Sequence, residues 1–405
     1  MAIVVQKYGG TSVGSPSRIE KVAEQIIATK NQGHSVVVVV SAMAGDTNRL
    51  VDLASQVDQN PSPRELDMLL AAGEQVSISL LSMALIKRGY SAISLLAHQA
   101  GIHTNNRFNK ARIKDIDTRR MLIELQQGHV VVVAGFQGMD SEGNVTTLGR
   151  GGSDTTAVAI ASALRAKECQ IFTDVDGVYT TDPRIEASAK KLDHVSFEEM
   201  LEMASCGAKV LQPRAVEFAG QNKMPLRVLS SFTDGDSDGT QICYEPEVDR
   251  QHPVTAIACQ DDEILFSVKS MLPLSELRTR LFAELAEADV EIDMISHQAN
   301  AQSKDLNFTI ARKDLVAAED ICKEFVSVKL ISAYHCLKQL SKVSVIGNGM
   351  RSHCGVAAGV FATLQQQAID VFLVSTAEIK LSVLMKQGDA PLAISSLTKK
   401  FNLND

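Results

Sequence analysis

Residues 36–40 are five consecutive valines. A β-branched run with no polar alternation does not suit a sheet with one wet face. It reads as a strand buried on both faces, the place of a central strand in a parallel sheet covered by helices. The neighbouring chain agrees. Ile3-Val4-Val5 leads through a Gly/Ser/Thr loop to a helical pattern at 16–31, and a helix-like stretch follows at 64–88. Apolar runs recur near 92–96 and at Val130–Val133, a helical run lies near 154–166, and Cys169–Thr173 reads as a further strand. This alternation predicts a three-layer α/β domain with a mainly parallel central sheet over residues 1–245.

The composition changes near 233–253. Thr233 to Gly239 is turn chemistry, and Glu245-Pro246 and His252-Pro253 break helices. Beyond this boundary the chain repeats itself at an offset of 79: Phe282 matches Phe361, Ala283 matches Ala362, Leu285 matches Leu364 and Ser296 matches Ser375. Each copy reads strand, helix, strand, strand, helix, which predicts two small α+β modules at 254–335 and 340–405. Chance similarity between amphipathic segments is the alternative; agreement of both register and element order favours a true repeat.

Composition narrows the function. A net charge of −8 argues against a protein that lives on nucleic acid, and no Trp with only 4% aromatics weakens a role in stacking bases or sugars. The seven cysteines (169, 206, 243, 259, 322, 336, 354) are odd in number and never spaced as CxxC. Free thiols in a reducing cytoplasm fit better than a disulfide frame or a zinc site. No run approaches about 18 consecutive apolar residues, so no membrane span is expected. The chain enters a strand pattern at once, so no signal peptide is expected either.

Several segments carry chemistry. Lys7-Tyr8-Gly9-Gly10-Thr11-Ser12 runs from a strand into two glycines and two hydroxyls. Glycines let backbone N–H groups approach an anion and the lysine adds a point charge, although an ordinary tight βα turn reads the same way. Neither GxxxxGK[ST] nor GxGxxG is present. Ser41 to Thr47 follows the valine strand, beyond whose carboxyl end ligands of open sheets sit; a generic loop is the plainer reading. Glu74, beside Gly73 in a helical pattern, is able to receive an ammonium group or simply to be solvated. Thr146 to Ala157, TTLGRGGSDTTA, is the most informative stretch. Its glycines and hydroxyls at a helix N-terminus form an anion nest, and Arg150 offers a planar fork to a carboxylate. Asp154 also suits an N-cap, but a pure cap leaves the arginine and glycines unexplained. Thr173 to Arg184 leaves a strand through an Asp-Gly turn and does not meet the calcium-loop pattern. Lys209 lies near a helix end, where a solvated surface lysine is the alternative. No histidine falls within these motifs. A carboxylate nucleophile is already ionised at neutral pH and needs no base, so phosphoryl transfer by positioning and charge stabilisation fits.

Taken together, KYGGTSVG at 7–14, VVVSAMAGDT at 38–47, AAGEQVS at 71–77, TTLGRGGSDTTA at 146–157, TDVDGVYTTDPR at 173–184 and GAKVLQPRAVE at 207–217 resemble the aspartokinase family. That family belongs to the amino acid kinase superfamily, and the repeat at 264–400 resembles its paired ACT regulatory domains. The resemblance covers essentially the whole chain. It implies an amino acid kinase fold followed by two βαββαβ-like ACT modules. It also implies ATP- and Mg²⁺-dependent phosphorylation of L-aspartate to 4-phospho-L-aspartate, the entry step to lysine, threonine and methionine. By resemblance, Lys7 bridges the transferring group with Gly9 and Gly10 on the phosphates, Lys209 supports them from the other side, and Asp154 holds both lysines. Tyr8, Ser41, Thr173, Asp174, Tyr179, Asp182, Arg184 and Val210 belong to the ATP site; Thr47, Glu74, Arg150, Gly151, Gly152 and Ser153 belong to the aspartate site. No dedicated metal ligands are expected. Another acid-phosphorylating amino acid kinase would keep Lys7, Asp154 and Lys209 too, whereas a silent amino-acid sensor would have no need of both lysines and the glycine nest.

In the regulatory half, amino-acid effectors (lysine, threonine or both) are implied at loops that include Asp293, Met294, His353, Cys354, Asp370, Val371 and Glu378. Here the chain departs from the family. Members often carry Asp-x-Pro-Gly after the first strand, where this chain reads Ser270-Met-Leu-Pro273 with no glycine. His297-Gln298 replaces the frequent Gln-Asn, and Cys354 stands where proline is usual. Weak or atypical feedback inhibition is therefore expected. A homodimer or higher homo-oligomer through the repeats is expected as well, since unpaired sheet edges find partners.

Overall fold

The computed structural model describes residues 2–208, 210–233, 238–244, 253–297, 305–353 and 355–404. They form two compact units: Met1–Val178, Lys191–Ala204 and Lys209–Glu247 in the first, and Tyr179–Lys190, Ser205–Ala208 and Val248–Asp405 in the second.

The first half of the chain runs β1 (Ile3–Tyr8), α1 (Pro16–Asn31), β2 (Ser35–Val40), α2 (Asp46–Val57), α3 (Pro63–Leu70), α4 (Ala72–Lys87), β3 (Ala92–Leu95), β4 (Ile102–Thr104), β5 (Ile113–Ile116), α5 (Arg119–Gln126) and β6 (Val130–Ala134). It continues with β7 (Gln137–Met139), β8 (Val145–Thr147), α6 (Gly152–Ala163), β9 (Glu168–Thr173), β10 (Val178–Tyr179), β11 (Lys191–Leu192), β12 (His194–Ser196), α7 (Phe197–Ser205), α8 (Pro213–Gln221), β13 (Leu226–Ser230) and β14 (Thr240–Cys243). Eight strands form one sheet in the order β12-β14-β13-β9-β1-β2-β6-β3, and only the β13–β14 pair is antiparallel. A second sheet has the order β5-β4-β7-β8.

The valine strand does what its composition requires. Val36, Val38 and Val40 join Val130 and Val132 under α1 and α4, while Val37 and Val39 face the opposite side and are equally inaccessible. There α6 packs against β1, β2 and β9. Burying each such side chain stabilises by roughly 1.5–3 kcal/mol, so the run is worth most where both faces are covered. Helix α1 starts at the predicted place for a local reason: the Ser15 hydroxyl accepts the Arg18 N–H at 3.3 Å and Pro16 begins the helix. Its buried residues Ile19, Val22, Ala23 and Ile26 make one stripe.

The helical stretch expected at 64–88 is divided at Ala71 into α3 and α4. Read as one stretch, Pro63–Lys87 is long and apolar enough by average composition to cross a bilayer, although it holds no unbroken apolar run of that length. It is a core element instead: it buries Asp67, Glu74 and Ser77, and α4 packs on α1, β3 and β6.

The second unit contains β15 (Ala256–Ser270), α9 (Leu274–Glu287), β16 (Ile292–His297), β17 (Asp305–Ala311) and α10 (Leu315–Ser327), then β18 (Ile331–Ile346), α11 (Val356–Gln366), β19 (Leu373–Thr376), β20 (Lys380–Lys386) and α12 (Ala390–Lys400). The element order repeats as the sequence pattern predicts, and the matched pair Leu285 and Leu364 are both buried. All strands join one antiparallel sheet, β16-β17-β15-β18-β20-β19. The long central strands β15 and β18 serve both modules. Ile264, Phe266 and Val268 sit in the core of the first, while Val254 and Ile257 sit in the core of the second. The Tyr179–Lys190 segment is tied into this unit. Thr180 accepts the Ile257 N–H at 2.7 Å through its carbonyl and donates its hydroxyl to the Leu403 carbonyl at 2.6 Å.

Candidate active site

Strand alternation places the first functional side chain. Tyr8 points into the core under α1, so Lys7 must point to the α6 face, level with Val39 on β2. There the Lys7 ammonium lies 2.6 Å from Asp154 Oδ1, and both side chains are about nine-tenths buried (12% and 10% exposed).

Asp154, whose residue type would also suit a helix cap, does not act as one. Gly151 is the N-cap of α6, in a left-handed conformation (φ 71°), and Asp154 is the third helical residue, aimed at Lys7. Any side chain at Gly151 would also meet the Gln212 side chain at 1.9 Å, so only glycine fits. The Gly152 N–H is taken by the Gly149 carbonyl at 3.0 Å, while the next first-turn N–H groups of α6, those of Ser153 and Asp154, have no partner inside the helix and open beside the ammonium, an arrangement that suits an anion.

Glu74 enters from the first turn of α4. Gly73 has no side chain and packs on the Ala42 methyl, which lets the Glu74 Oε1 accept the Ala42 N–H at 3.0 Å. The Ser77 hydroxyl donates to the Ser41 carbonyl at 2.7 Å, pinning α4 to the loop after β2. Burial pushes the Glu74 carboxyl up to about 7, against the opposing pull of the Ala42 N–H. Its Oε2 has no hydrogen-bond partner among the described residues. A buried carboxyl with an open oxygen is suited to an incoming cation.

These groups line one cleft of about 400 Å³, within the range of small-ligand sites. It brings together the predicted residues Lys7, Gly10, Ser41, Thr47, Glu74, Arg150, Gly151, Gly152, Ser153 and Asp154. Ammonium and guanidinium groups, a helix N-terminus and one buried carboxyl converge, a set able to hold a zwitterionic carboxylic acid beside a phosphate. Phe136 and Gln212 also line the cleft and were not foreseen. Their signals are faint: Phe136 is a non-glycine residue at φ 67°, and Gln212 immediately precedes the proline that opens α8.

Other expected residues lie elsewhere. The Tyr8 side chain is fully buried and stacks on Phe172 at 4.5 Å, so it does not enter the cleft. Gly9 adjoins Lys7: a methyl there would stand 3.4 Å from the ammonium. Thr173 and Asp174 lie at the end of β9, where the Thr173 carbonyl accepts the Ser231 N–H at 2.9 Å. Tyr179, Asp182 and Arg184 belong to the second unit, where Arg184 pairs with Asp182 at 2.7 Å. Val210 is half-buried, and Lys209 lies outside the described residues.

Of the expected effector residues, Asp293 pairs with the buried Lys342, and buried Met294 donates its N–H to Thr309 Oγ1 at 3.0 Å. His353, Asp370 and Glu378 are exposed and Val371 is half-buried; Cys354 lies outside the described residues. Among the described residues no three His, Cys, Asp or Glu side chains converge as a metal site.

The chain is similar to known proteins along its whole length. The amino acid kinase family model matches residues 2–230, and an ACT domain model matches residues 343–401. The chain is 48% identical to aspartate kinase Ask_LysC of Stutzerimonas stutzeri, covering 100% of this chain and 98% of that protein. It is 45% identical to aspartokinase 2 of Bacillus subtilis with the same coverage. The crystal structure of E. coli aspartokinase III with aspartate and ADP superposes with a TM-score of 0.83 at 28% identity, covering 99% of this chain and 100% of that one. The lysine- and aspartate-bound form of aspartokinase III superposes with a TM-score of 0.79 at 28% identity, covering 98% and 99%.

Proposed function

The chain belongs to the aspartokinase family, amino acid kinases that carry ACT domains, and from that premise we propose that it transfers the γ-phosphoryl group of ATP to the side-chain carboxylate of L-aspartate. The products are 4-phospho-L-aspartate and ADP, at the head of the route to lysine, threonine and methionine.

The observation that supports this most is the convergence of Lys7–Asp154, Glu74 and Arg150 on one cleft. Glu74 receives the substrate ammonium, and Arg150 receives one carboxylate through its fork. The other carboxylate is left to face the phosphate. With an ordinary pKa near 3.9 it is ionised at neutral pH and attacks the γ-phosphorus directly. The P–O bond to the bridging oxygen of ADP breaks, and the electron pair leaves with ADP. Lys7, held by Asp154, meets the charge that develops on the transferring oxygens, as do the Ser153 and Asp154 N–H groups of α6. Lys209 is assigned the same task from the far side. Thr173, Asp174, Tyr179, Asp182 and Arg184 are assigned to the nucleotide. The described residues do not form a cage for Mg²⁺, which is proposed to enter as the MgATP complex.

The ACT half is proposed to sense an amino acid; E. coli aspartokinase III has been crystallised in complex with lysine as well as aspartate, which supports this reading. In this chain the loop before α9 closes on itself: the Ser270 hydroxyl donates to the Leu272 carbonyl at 2.8 Å and accepts the Leu272 N–H at 3.1 Å. Backbone groups that would meet an effector are thus partly occupied, which supports weak feedback. A homodimer in the cytoplasm is proposed for the working form. ADP release measured with L-aspartate and with L-glutamate tests the substrate: aspartate-dependent turnover is expected, and turnover with glutamate alone contradicts the assignment.

A further inference from the structure

Asp67, on α3, is fully buried and lines no part of the cleft. No cation among the described residues pairs with it. Instead, both carboxylate oxygens accept the Asn109 N–H at 3.0 Å, and they also accept the Thr147 N–H at 2.7 Å and the Thr147 hydroxyl at 2.6 Å. A buried carboxylate without a cation is costly, and burial pushes this one up while the three donors hold it down.

What the three donors share is the turn they adjoin. Thr147 ends β8, and the chain then passes through Leu148 and Gly149 to Arg150. Leu148 donates its N–H to the Phe136 carbonyl at 2.8 Å, and Ala111 donates its N–H to the Thr147 carbonyl at 2.9 Å. Gly149 is left-handed (φ 77°), and a methyl on it would stand 2.9 Å from the Asn109 carbonyl oxygen. Asn109 is itself left-handed at φ 65°. Asp67 therefore grips the strand end that leads into the turn delivering Arg150, together with the separate loop at Asn109 against which Gly149 packs.

Glu74 follows seven residues later, in the first turn of α4, just across the break at Ala71 that ends α3. We propose that Asp67 is a positioning residue that holds the Gly149–Arg150 turn at a fixed distance from Glu74, so that the two groups receiving the charged ends of the substrate are spaced before it arrives. The inference rests on the proposed roles of Arg150 and Glu74. It goes further in assigning the spacing to a carboxylate outside the cleft.

The test is steady-state kinetics of full-length Asp67→Asn, Thr147→Val and Thr147→Ser, with Arg150→Ala alongside. Asp67→Asn and Thr147→Val are expected to raise the aspartate KM about tenfold or more while the ATP KM stays within about twofold. Thr147→Ser restores the hydroxyl donor and is expected to stay close to the parent protein. Thr147→Val keeps the backbone bond to Asp67, so it carries the test if Asp67→Asn does not fold. A second readout is independent of catalysis: the rate of tryptic cleavage after Arg150 in the native protein is expected to rise in Asp67→Asn and Thr147→Val but not in Thr147→Ser. An unchanged cleavage rate with an unchanged aspartate KM overturns the inference, as does an equal loss for both substrates. If Arg150→Ala leaves the aspartate KM unchanged, the reading of the cleft fails, and faster cleavage in Asp67→Asn still supports the positioning role.

Discussion

The Lys7 ammonium stands 2.6 Å from the Asp154 carboxylate, joining the first strand of the sheet to the first turn of α6. Neither group is fully exposed, so the pair is more than a surface salt bridge, and removing one partner leaves a largely buried charge uncompensated. In the proposed reaction this geometry keeps the ammonium aimed at the place where phosphoryl charge develops.

Replacing Lys7 with Met is expected to lower kcat by about 10²–10³-fold, the usual loss when one donor to a developing oxyanion is removed. Asp154→Asn keeps the shape and removes the charge; it is expected to lower kcat while the aspartate KM changes little. Steady-state kinetics on protein whose folding is verified by circular dichroism checks both. A Lys7→Met enzyme with unaltered kcat contradicts the role.

Arg150→Ala is expected to raise the aspartate KM and leave ATP binding nearly unchanged. A hydrogen bond to a charged group contributes about 1.5–3 kcal/mol, which corresponds to roughly 10–150-fold in KM. Equal losses for both substrates would remove Arg150 from the aspartate site.

Glu74 gives a pH signature. Its carboxyl sits near about 7 because it is buried, so in the empty site it is mostly neutral below that pH and unable to pair with an ammonium. The ionised fraction grows as pH rises, so kcat/KM for aspartate at saturating MgATP is expected to climb toward pH 7 and flatten above it. Glu74→Gln is expected to lose this limb and to bind aspartate weakly at every pH. The stability sign is opposite. The folded-state pKa is raised above the ordinary 4.5, so this group favours the fold most at low pH. That contribution is lost as pH rises from there to about 7.

Feedback inhibition by lysine or threonine is expected to be weak, with a coupling free energy below about 1 kcal/mol. Aspartate saturation curves with and without each amino acid measure it. Strong inhibition by either at sub-millimolar concentration would show that the loop closed by Ser270 still admits an effector.

Much of this architecture was legible in local patterns. Val36–Val40 announced a doubly covered parallel strand, Ser15-Pro16 marked the start of α1, and the repeat beginning at Phe282 and Phe361 announced paired modules. The cleft was legible where glycines and charges cluster, as at Arg150 to Asp154. Long-range partners were not. Asp67 lies in the helix-like stretch at 64–88 with no local signal of its own, and its partners Asn109 and Thr147 are 42 and 80 residues away. Residue type also allowed Asp154 to cap α6; Gly151 takes that position in a left-handed conformation, and Asp154 is left to pair with Lys7. The side chain of Tyr8 sits in a glycine motif by sequence but in the core by alternation, stacked on Phe172.

Trapping the product with hydroxylamine tests the central claim most directly. The full-length protein is given MgATP and hydroxylamine with either L-aspartate or L-glutamate. Aspartyl hydroxamate without glutamyl hydroxamate is the predicted result, since it reports an acyl phosphate formed on the substrate that Glu74 and Arg150 are proposed to hold. No hydroxamate with aspartate, or product with glutamate alone, would contradict the account.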